Sequence, residues 1–307
     1  MSKHRTSTGV NADFFAPVPR SKRARIEWPD GARLAFWAAP NIEFYELDPP
    51  ENLVRPAWPR PFPDILNWSW RDYGNRVGVW RCLQLFDRYQ ITGSVSLNAA
   101  MCDRLPDIVA QFRDRDWDLF YHGDYNTRYL FGLSPEQERL AIAESCGRIE
   151  KFSGKPVRGF LAPALTYTET TFESAAKCGI DYIFDTFSED QPYPVLTSER
   201  PLISIPYQVE LNDFFACVVG GLSPSAYVER FKAQFDRLYL EGAHSGRVIG
   251  LPLHPYLIGM PNYIWALEEM LAYARKHRAV WFTTAADIAD WYRANYLDTA
   301  LSSLERP

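Results

Sequence analysis

Two histidines stand where an apolar run ends. Val248-Ile249-Gly250-Leu251-Pro252-Leu253 leads into His254 and a Pro255-Tyr256-Leu257-Ile258-Gly259 loop, and Trp117-Asp118-Leu119-Phe120-Tyr121 leads into His122-Gly123. A strand buried on both faces has no solvated side for an imidazole, so each histidine is expected at a C-terminal rim, where α/β folds bind ligands. Imidazole titrates near neutrality and can move protons or bind metal. One such histidine would serve equally as a core residue satisfied by a backbone carbonyl; two point to a shared site. A third run, Leu34 to Ala39, exits through Asn41-Ile42-Glu43-Phe44-Tyr45-Glu46, which mixes carboxylate, amide and aromatic groups.

The elements that must position these groups follow from periodicity and punctuation. Leu34 to Ala39 reads as a buried strand closed by Pro40. From Asp48 to Tyr73 the chain is rich in proline and tryptophan, with Trp58, Trp68 and Trp70, and reads as an irregular lid or pocket wall. A helix is expected over 75–89, a strand over 94–97 and a helix over 106–113. Ser134 caps the next helix, with Pro135 at its first position, Gln137 completing a capping box and Ser153-Gly154 ending it. Its apolar stripe is read as Leu140, Ala143, Cys146 and Ile149. A strand over 157–162, a helix over 168–177, a strand over 180–184 and a strand with hairpin over 196–215 follow. Ser223-Pro224 opens another helix; after the strand ending at His254 come a helix over 262–276, a strand over 279–282 and a helix over 285–296. Strands alternate with helices about seven times without a linker, which predicts one parallel barrel-like domain over 31–298. An extended arm, 1–30, precedes it, and the tail 299–307 is expected to fray.

Composition bounds the partners. The chain has 307 residues, 47% hydrophobic and 15% aromatic, enough for a sizeable core. A net charge of −5 and a pI near 5.6 give no general attraction to nucleic acid or an anionic membrane. The locally basic N-terminus lacks an apolar h-region, so it reads as a surface arm or subunit-contact segment. No apolar run reaches membrane-spanning length. Five scattered cysteines without C-x-x-C spacing read as reduced thiols of a cytoplasmic protein. There is no G-x-S-x-G elbow for a serine nucleophile and no glycine-rich phosphate loop.

Taken in order, Asn41-x-Glu43, His122-Gly123-x-x-Asn126, Arg158-Gly159-Phe160-x-x-Pro163 and Leu253-His254 resemble the motifs of the polysaccharide deacetylase (NodB-homology, carbohydrate esterase family 4) superfamily. The resemblance spans roughly residues 30 to 295. It implies an α/β fold, a distorted (β/α)7 barrel in a single domain, and hydrolysis of N-acetyl groups with a divalent metal. Residue by residue, it puts Asn41 at the position of the base, Glu43 near that of the metal-binding aspartate, His122 at the first metal histidine, Asn126 at the second, and His254 at the general acid. A catalytic zinc takes three firm ligands, and an amide oxygen is a poor one, so Glu43 and His122 leave the implied site one ligand short. Asp124 is near but off the pattern.

That departure is similar to the branch of PuuE-type allantoinases and cyclic imide hydrolases, which open small cyclic amides without metal. Ile205-Pro206-Tyr207-x-x-Glu210-Leu211-Asn212-Asp213 is similar to that branch's Pro-Tyr-x-x-x-x-Asn-Asp segment. The resemblance then implies a hydrolase of carbon–nitrogen bonds acting on a small-molecule amide, with no cofactor. Water attacks the carbonyl, with Glu43 as base or water-orienter, its pKa raised by desolvation. His122 and His254 position water, carry protons or face the oxyanion. Asn41, Asn126, Arg158, Phe160, Asn212, Tyr256 and Trp68 are the candidate substrate contacts, although Arg158 reads more readily as the partner of a structural acid inside the barrel. Trp58, Trp70 and Tyr167 are further candidates for shaping the pocket. Two other readings stand beside this one: an N-deacetylase of acetamido sugars with zinc or another divalent metal at Glu43 and His122, and a catalytically degenerate binding protein. The relatives' assembly implies a homo-oligomer, a tetramer by analogy.

Overall fold

The computed structural model describes residues 12–52 and 54–304. Nine strands form one curled sheet: β1 Leu34–Ile42, β2 Ser94–Leu97, β3 Asp118–Tyr121, β4 Gly159–Phe160, β5 Tyr182–Ile183, β6 Tyr193–Val195, β7 Leu202–Ser204, β8 Arg247–Leu253 and β9 Val280–Phe282. Their order is β6-β7-β5-β4-β3-β2-β1-β8, with β9 beside β1. Every pairing is parallel except the β6–β7 hairpin. β1 divides one of its edges: Leu34 to Phe36 pair with β9, and Asn41 and Ile42 pair with β2.

The curl does not close by strand pairing between its edge strands, β6 and β8. The side chain of Gln208 bridges the gap instead, accepting from Gly250 N at 2.5 Å and donating to Val248 O at 3.0 Å, while Val248 N donates to Asp190 O. One amide side chain thus satisfies edge groups that a neighbouring strand would otherwise take.

Side-chain parity then decides what faces the barrel interior. Ala35, Trp37 and Ala39 of β1 join the interior cluster with Phe120, Leu161, Phe184 and Val248, whereas Leu34, Phe36 and Ala38 pack outward under the helices. Continuing the two-residue period, Asn41, Glu43, His122 and His254 fall on the interior side at the C-terminal mouth, and Phe160 on the outer side.

Several boundaries differ from the sequence expectation, each for a physical reason. β1 does not stop at Pro40: the chain stays extended to Ile42, because the Pro40 carbonyl and its neighbours still pair with β8 and β2. The second half of the proline- and tryptophan-rich stretch is helix, Ile65–Tyr73, capped by the Asp64 side chain. It continues through one π-helical turn, Gly74–Gly78, into the helix Val79–Arg88. A β-carbon on Gly78 would stand 1.9 Å from Pro255 O, and one on Gly74 2.6 Å from Tyr256 N, so both glycines are required for this helix to cross the residues after His254. The helix Pro135–Ser153 has the expected capping box and left-handed Gly154. Its buried stripe is Ile142, Ser145, Cys146 and Ile149 with Glu138, while Leu140 is exposed.

The ends also depart from the expectation. Residues 1–11 of the arm lie outside the described residues. In the remainder Val18, Ile26 and Trp28 are buried against the barrel. Residues 297–304 are helical rather than frayed, with Leu297 and Ala300 buried. The five cysteines are unpaired. Among the described residues no helix is long and apolar enough to cross a membrane.

Candidate active site

Glu43, His122 and His254, contributed by the ends of β1, β3 and β8, converge at the mouth and are all buried. They floor a cavity of about 360 Å³ walled by Tyr45, Trp58, Tyr129, Leu161, Phe214, Phe215 and Tyr256. Backbone around the mouth is pinned by side chains. Asn98 accepts from Phe44 N and donates to His122 O, tying the exits of β1 and β3 together. Asn75 donates to Glu43 O at 2.9 Å, Trp68 to Tyr45 O at 3.2 Å and Trp58 to Glu46 O at 3.0 Å.

The Glu43 carboxylate is held on three sides. Asn126 Nδ2 donates to Oε1 at 2.9 Å, the Tyr45 hydroxyl donates to Oε2 at 2.7 Å, and His122 Nε2 lies 3.2 Å from Oε1. His122 Nδ1 faces the Leu161 carbonyl at 3.0 Å, which can only accept, so Nδ1 carries a proton, and the contact of Nε2 with the ionised Glu43 is a hydrogen bond when Nε2 carries one too. Burial pushes the Glu43 carboxyl up. The charge of His254, then the hydrogen bond and charge of His122 and the hydrogen bond of Tyr45, outweigh it, and the net shift is downward. This corrects the expectation of a raised value: desolvation is the largest single effect, but it is opposed from three neighbours.

His254 is organised by a residue that is not among the sequence candidates. Asp213, fully buried, accepts from His254 Nδ1 at 2.6 Å and from its backbone N–H at 2.8 Å. Burial pulls the imidazole down, but the charges of Asp213 and then Glu43 and the Asp213 hydrogen bond carry it above its ordinary value. Its Nε2 points at the cavity, 3.9 Å from Glu43 Oε1. Asp213 thus favours the protonated imidazole, whose Nε2 has no hydrogen-bond partner among the described residues and is left for a ligand. The signal lies in the Asn212-Asp213 pair, of which only Asn212 is among the sequence candidates.

The remaining candidates divide. Asn41 lines the cavity with its amide spent on Leu253 O at 3.1 Å. Asn126 spends both amide hydrogens, on Glu43 and on Tyr45, and its buried Oδ1 has no partner. Asn212 lines the cavity, yet its oxygen accepts from Phe214 N and Phe215 N and its amide donates to Tyr207 OH; it shapes the wall. Tyr256 is wall, and Trp68 stands behind Tyr45 as a backbone clamp. Trp58 lines the cavity, Trp70 backs Tyr256 by donating to its carbonyl, and Tyr167 is not among the lining residues. Two candidates are corrected outright. Phe160 is fully buried on the outer face, stacked on Tyr121 at 4.8 Å. Arg158 sits at the start of β4, at the opposite end of the sheet, bound to Asp181 and Asp290. Asp124 is engaged by Arg128 and Arg148.

The metal centre implied by the resemblance can be tested on this donor set. Glu43 and His122 are the two firm ligands; Asn126 turns its donor hydrogens, not its oxygen, toward Glu43. Asp213 is committed to His254. Among the described residues no group of three or more His, Cys, Asp or Glu could hold a metal ion. The residues present do not fit the three-ligand site.

Comparison with known proteins places this geometry. Residues 70–183 match the polysaccharide deacetylase family model. A Schizosaccharomyces pombe protein assigned to the polysaccharide deacetylases is 24% identical, covering 88% of this chain and 93% of its own length. Among solved structures, PuuE allantoinase superposes with a TM-score of 0.78 at 26% identity, covering 89% of this chain and 94% of that one. A Pseudomonas aeruginosa PAO1 protein assigned to the polysaccharide deacetylases matches with the same score and identity, over 89% and 95%. With the curled parallel sheet and the histidine-bearing strand ends described above, these likenesses give the chain a NodB-type fold and support an amidohydrolase of the polysaccharide deacetylase-like superfamily.

Proposed function

We propose that the chain opens a small cyclic amide or imide, of the allantoin, hydantoin or succinimide type, by water attack on a ring carbonyl without a metal ion. The observation that carries this reading is the pair at the cavity floor. Glu43 Oε1 and His254 Nε2 stand 3.9 Å apart, too far to hydrogen-bond each other and close enough for both to reach a water or a scissile amide, with the carboxyl shifted toward its ionised form and the imidazole toward its protonated one. Glu43 takes a proton from the attacking water as its oxygen bonds the carbonyl carbon. His254 gives its Nε2 proton to the ring nitrogen as the carbon–nitrogen bond breaks, and the proton on Glu43 then restores His254. Asp213 holds the imidazole in orientation and stabilises its charged form. Asn126, Tyr45 and His122 hold Glu43 in place.

The ring-lined cavity of about 360 Å³ suits a small planar substrate, and the likeness to PuuE allantoinase supports a ring. One observation favours a second reading: the unpartnered Asn126 Oδ1 is an oxygen donor next to Glu43 and His122, as a variant metal-dependent N-deacetylase would need. Elemental analysis, run beside hydrolysis of allantoin, hydantoin and succinimide with and without chelator, separates them. Metal-free protein opening a ring at a chelator-independent rate is the expected result. Stoichiometric zinc, chelator-sensitive turnover and acetate release from an acetamido sugar would replace it with the second reading.

A further inference from the structure

The cavity carries more positive charge than the proposed chemistry uses. Arg55 and Arg71 line it together with His122 and His254. The one carboxylate among its lining residues, Glu43, already has its oxygens bound within the cluster. Arg71, from the helix Ile65–Tyr73, is wedged among four rings: its guanidinium carbon lies 4.8 Å from the centroid of Trp70, 5.4 Å from Tyr256, 5.7 Å from Tyr45 and 5.8 Å from Trp58. Stacking of this kind fixes the plane of the guanidinium and leaves its edges for hydrogen bonds. One edge is used, Nη1 donating to the Asn67 side chain at 3.1 Å and its carbonyl at 3.4 Å. The Nε–H is buried without a partner, and among the described residues no acid pairs with Arg71. A buried donor on a charged group is costly to leave unsatisfied. Arg128, Arg148 and Arg158 each pair with carboxylates. Arg55 lies at the rim, 5.1 Å over the Tyr129 ring, and likewise has no acid partner among the described residues.

We infer that Arg71, assisted by Arg55, is a carboxylate subsite, and that the substrate is a cyclic amide or imide whose ring bears a carboxylate. The parallel donors on the Nε–Nη2 side of a guanidinium match the two oxygens of a carboxylate, which a neutral ring would leave unmet. This assignment rests on the cyclic-amide reading above, and the two are tested separately.

The test is calorimetric titration of the full chain with 2-pyrrolidone-5-carboxylate and with its neutral carboxamide, two ligands that share one ring. The carboxylate is expected to bind about tenfold to a hundredfold more tightly. Arg71→Met should bring that ratio close to one, and Arg55→Gln, at an exposed position, should reduce it severalfold. Equal affinities, no binding of either ligand, or a preference that survives both substitutions would overturn the subsite. Ring-opening assays on hydantoin and hydantoin-5-acetate complete the design. A carboxylate preference in binding with no ring opened keeps the subsite and removes the cyclic-amide reading. Ring opening with no preference does the reverse.

Discussion

The two ends of the sheet both hold clusters of charge, and they differ in one respect. At the N-terminal end Arg158 bonds Asp181 at 2.8 Å and Asp290 at 3.0 Å, and Asp181 also gathers Arg200 and Arg293. Each charge in that cluster has a partner of opposite sign. At the C-terminal mouth, His254 Nε2, Asn126 Oδ1 and Arg71 Nε are left without one. The same contrast separates two buried carboxylates. Glu138 is closed in by the hydroxyls of Thr168, Thr170, Thr171 and Ser174, whereas Glu43 borders an open cavity and a cationic imidazole. A charged residue marks a site when its environment leaves capacity unspent; saturated charge marks architecture.

The sharpest way to break this comparison is to neutralise the unsaturated end. Glu43→Gln keeps the size of the side chain and removes the base, and kcat for ring opening should fall by about 10²–10⁴-fold with the fold intact by circular dichroism. A fall of less than tenfold would move the base elsewhere.

Asp213→Asn tests the electrostatics of His254. With Asp213 neutral, burial is the largest remaining effect, and the imidazole should drop from above its ordinary 6.5 to below it. The pH profile of kcat/KM should then lose its high-pH limb first, that limb shifting toward acid. The low-pH limb follows Glu43, whose lowered value keeps it ionised to more acidic pH than a free carboxyl. Stability carries the same signs. Because the folded value of His254 is raised, its contribution is full below about pH 6.5 and is lost as pH rises through the folded value. Glu43 contributes above its unfolded value, and its contribution is lost as pH falls through the lowered folded one. An unchanged alkaline limb in Asp213→Asn would show that another group is the acid.

The smallest effect belongs to the saturated end. Arg158→Met should leave kcat/KM within about twofold and lower unfolding stability by about 1 kcal/mol, since the ion pairs are partly exposed. Urea denaturation read beside turnover checks it; a large loss of turnover without loss of stability would return Arg158 to the substrate.

Much of this organisation was legible in one dimension. Apolar runs ending in histidine, the capping box at Ser134 and the helix opened by Ser223-Pro224 are local features, set by burial and by backbone hydrogen bonding within a few residues. His122 and His254 could be named because each ends such a run, and Glu43 because the resemblance sets it near the position of a metal-binding aspartate. What stayed hidden depends on contacts across the chain. The helix Ile65–Tyr73 looked irregular because proline and tryptophan punctuate the stretch before it, while its fit depends on Gly74 and Gly78 meeting a segment 180 residues away, as their contacts with Pro255 and Tyr256 show. Phe160 and Arg158 belong to a motif, but sheet parity and position along β4 send them to the outer face and the far end.

The sequence by itself therefore determined which residue types stand at the strand ends, because strand formation and side-chain alternation are local. Only the tertiary structure decided that Asp213 would reach His254, that Glu43 would titrate low rather than high, and that Arg71 would stand among four rings without an acid. A pKa and a free hydrogen-bonding edge are sums over neighbours in space, and those neighbours come from segments that sequence order keeps apart.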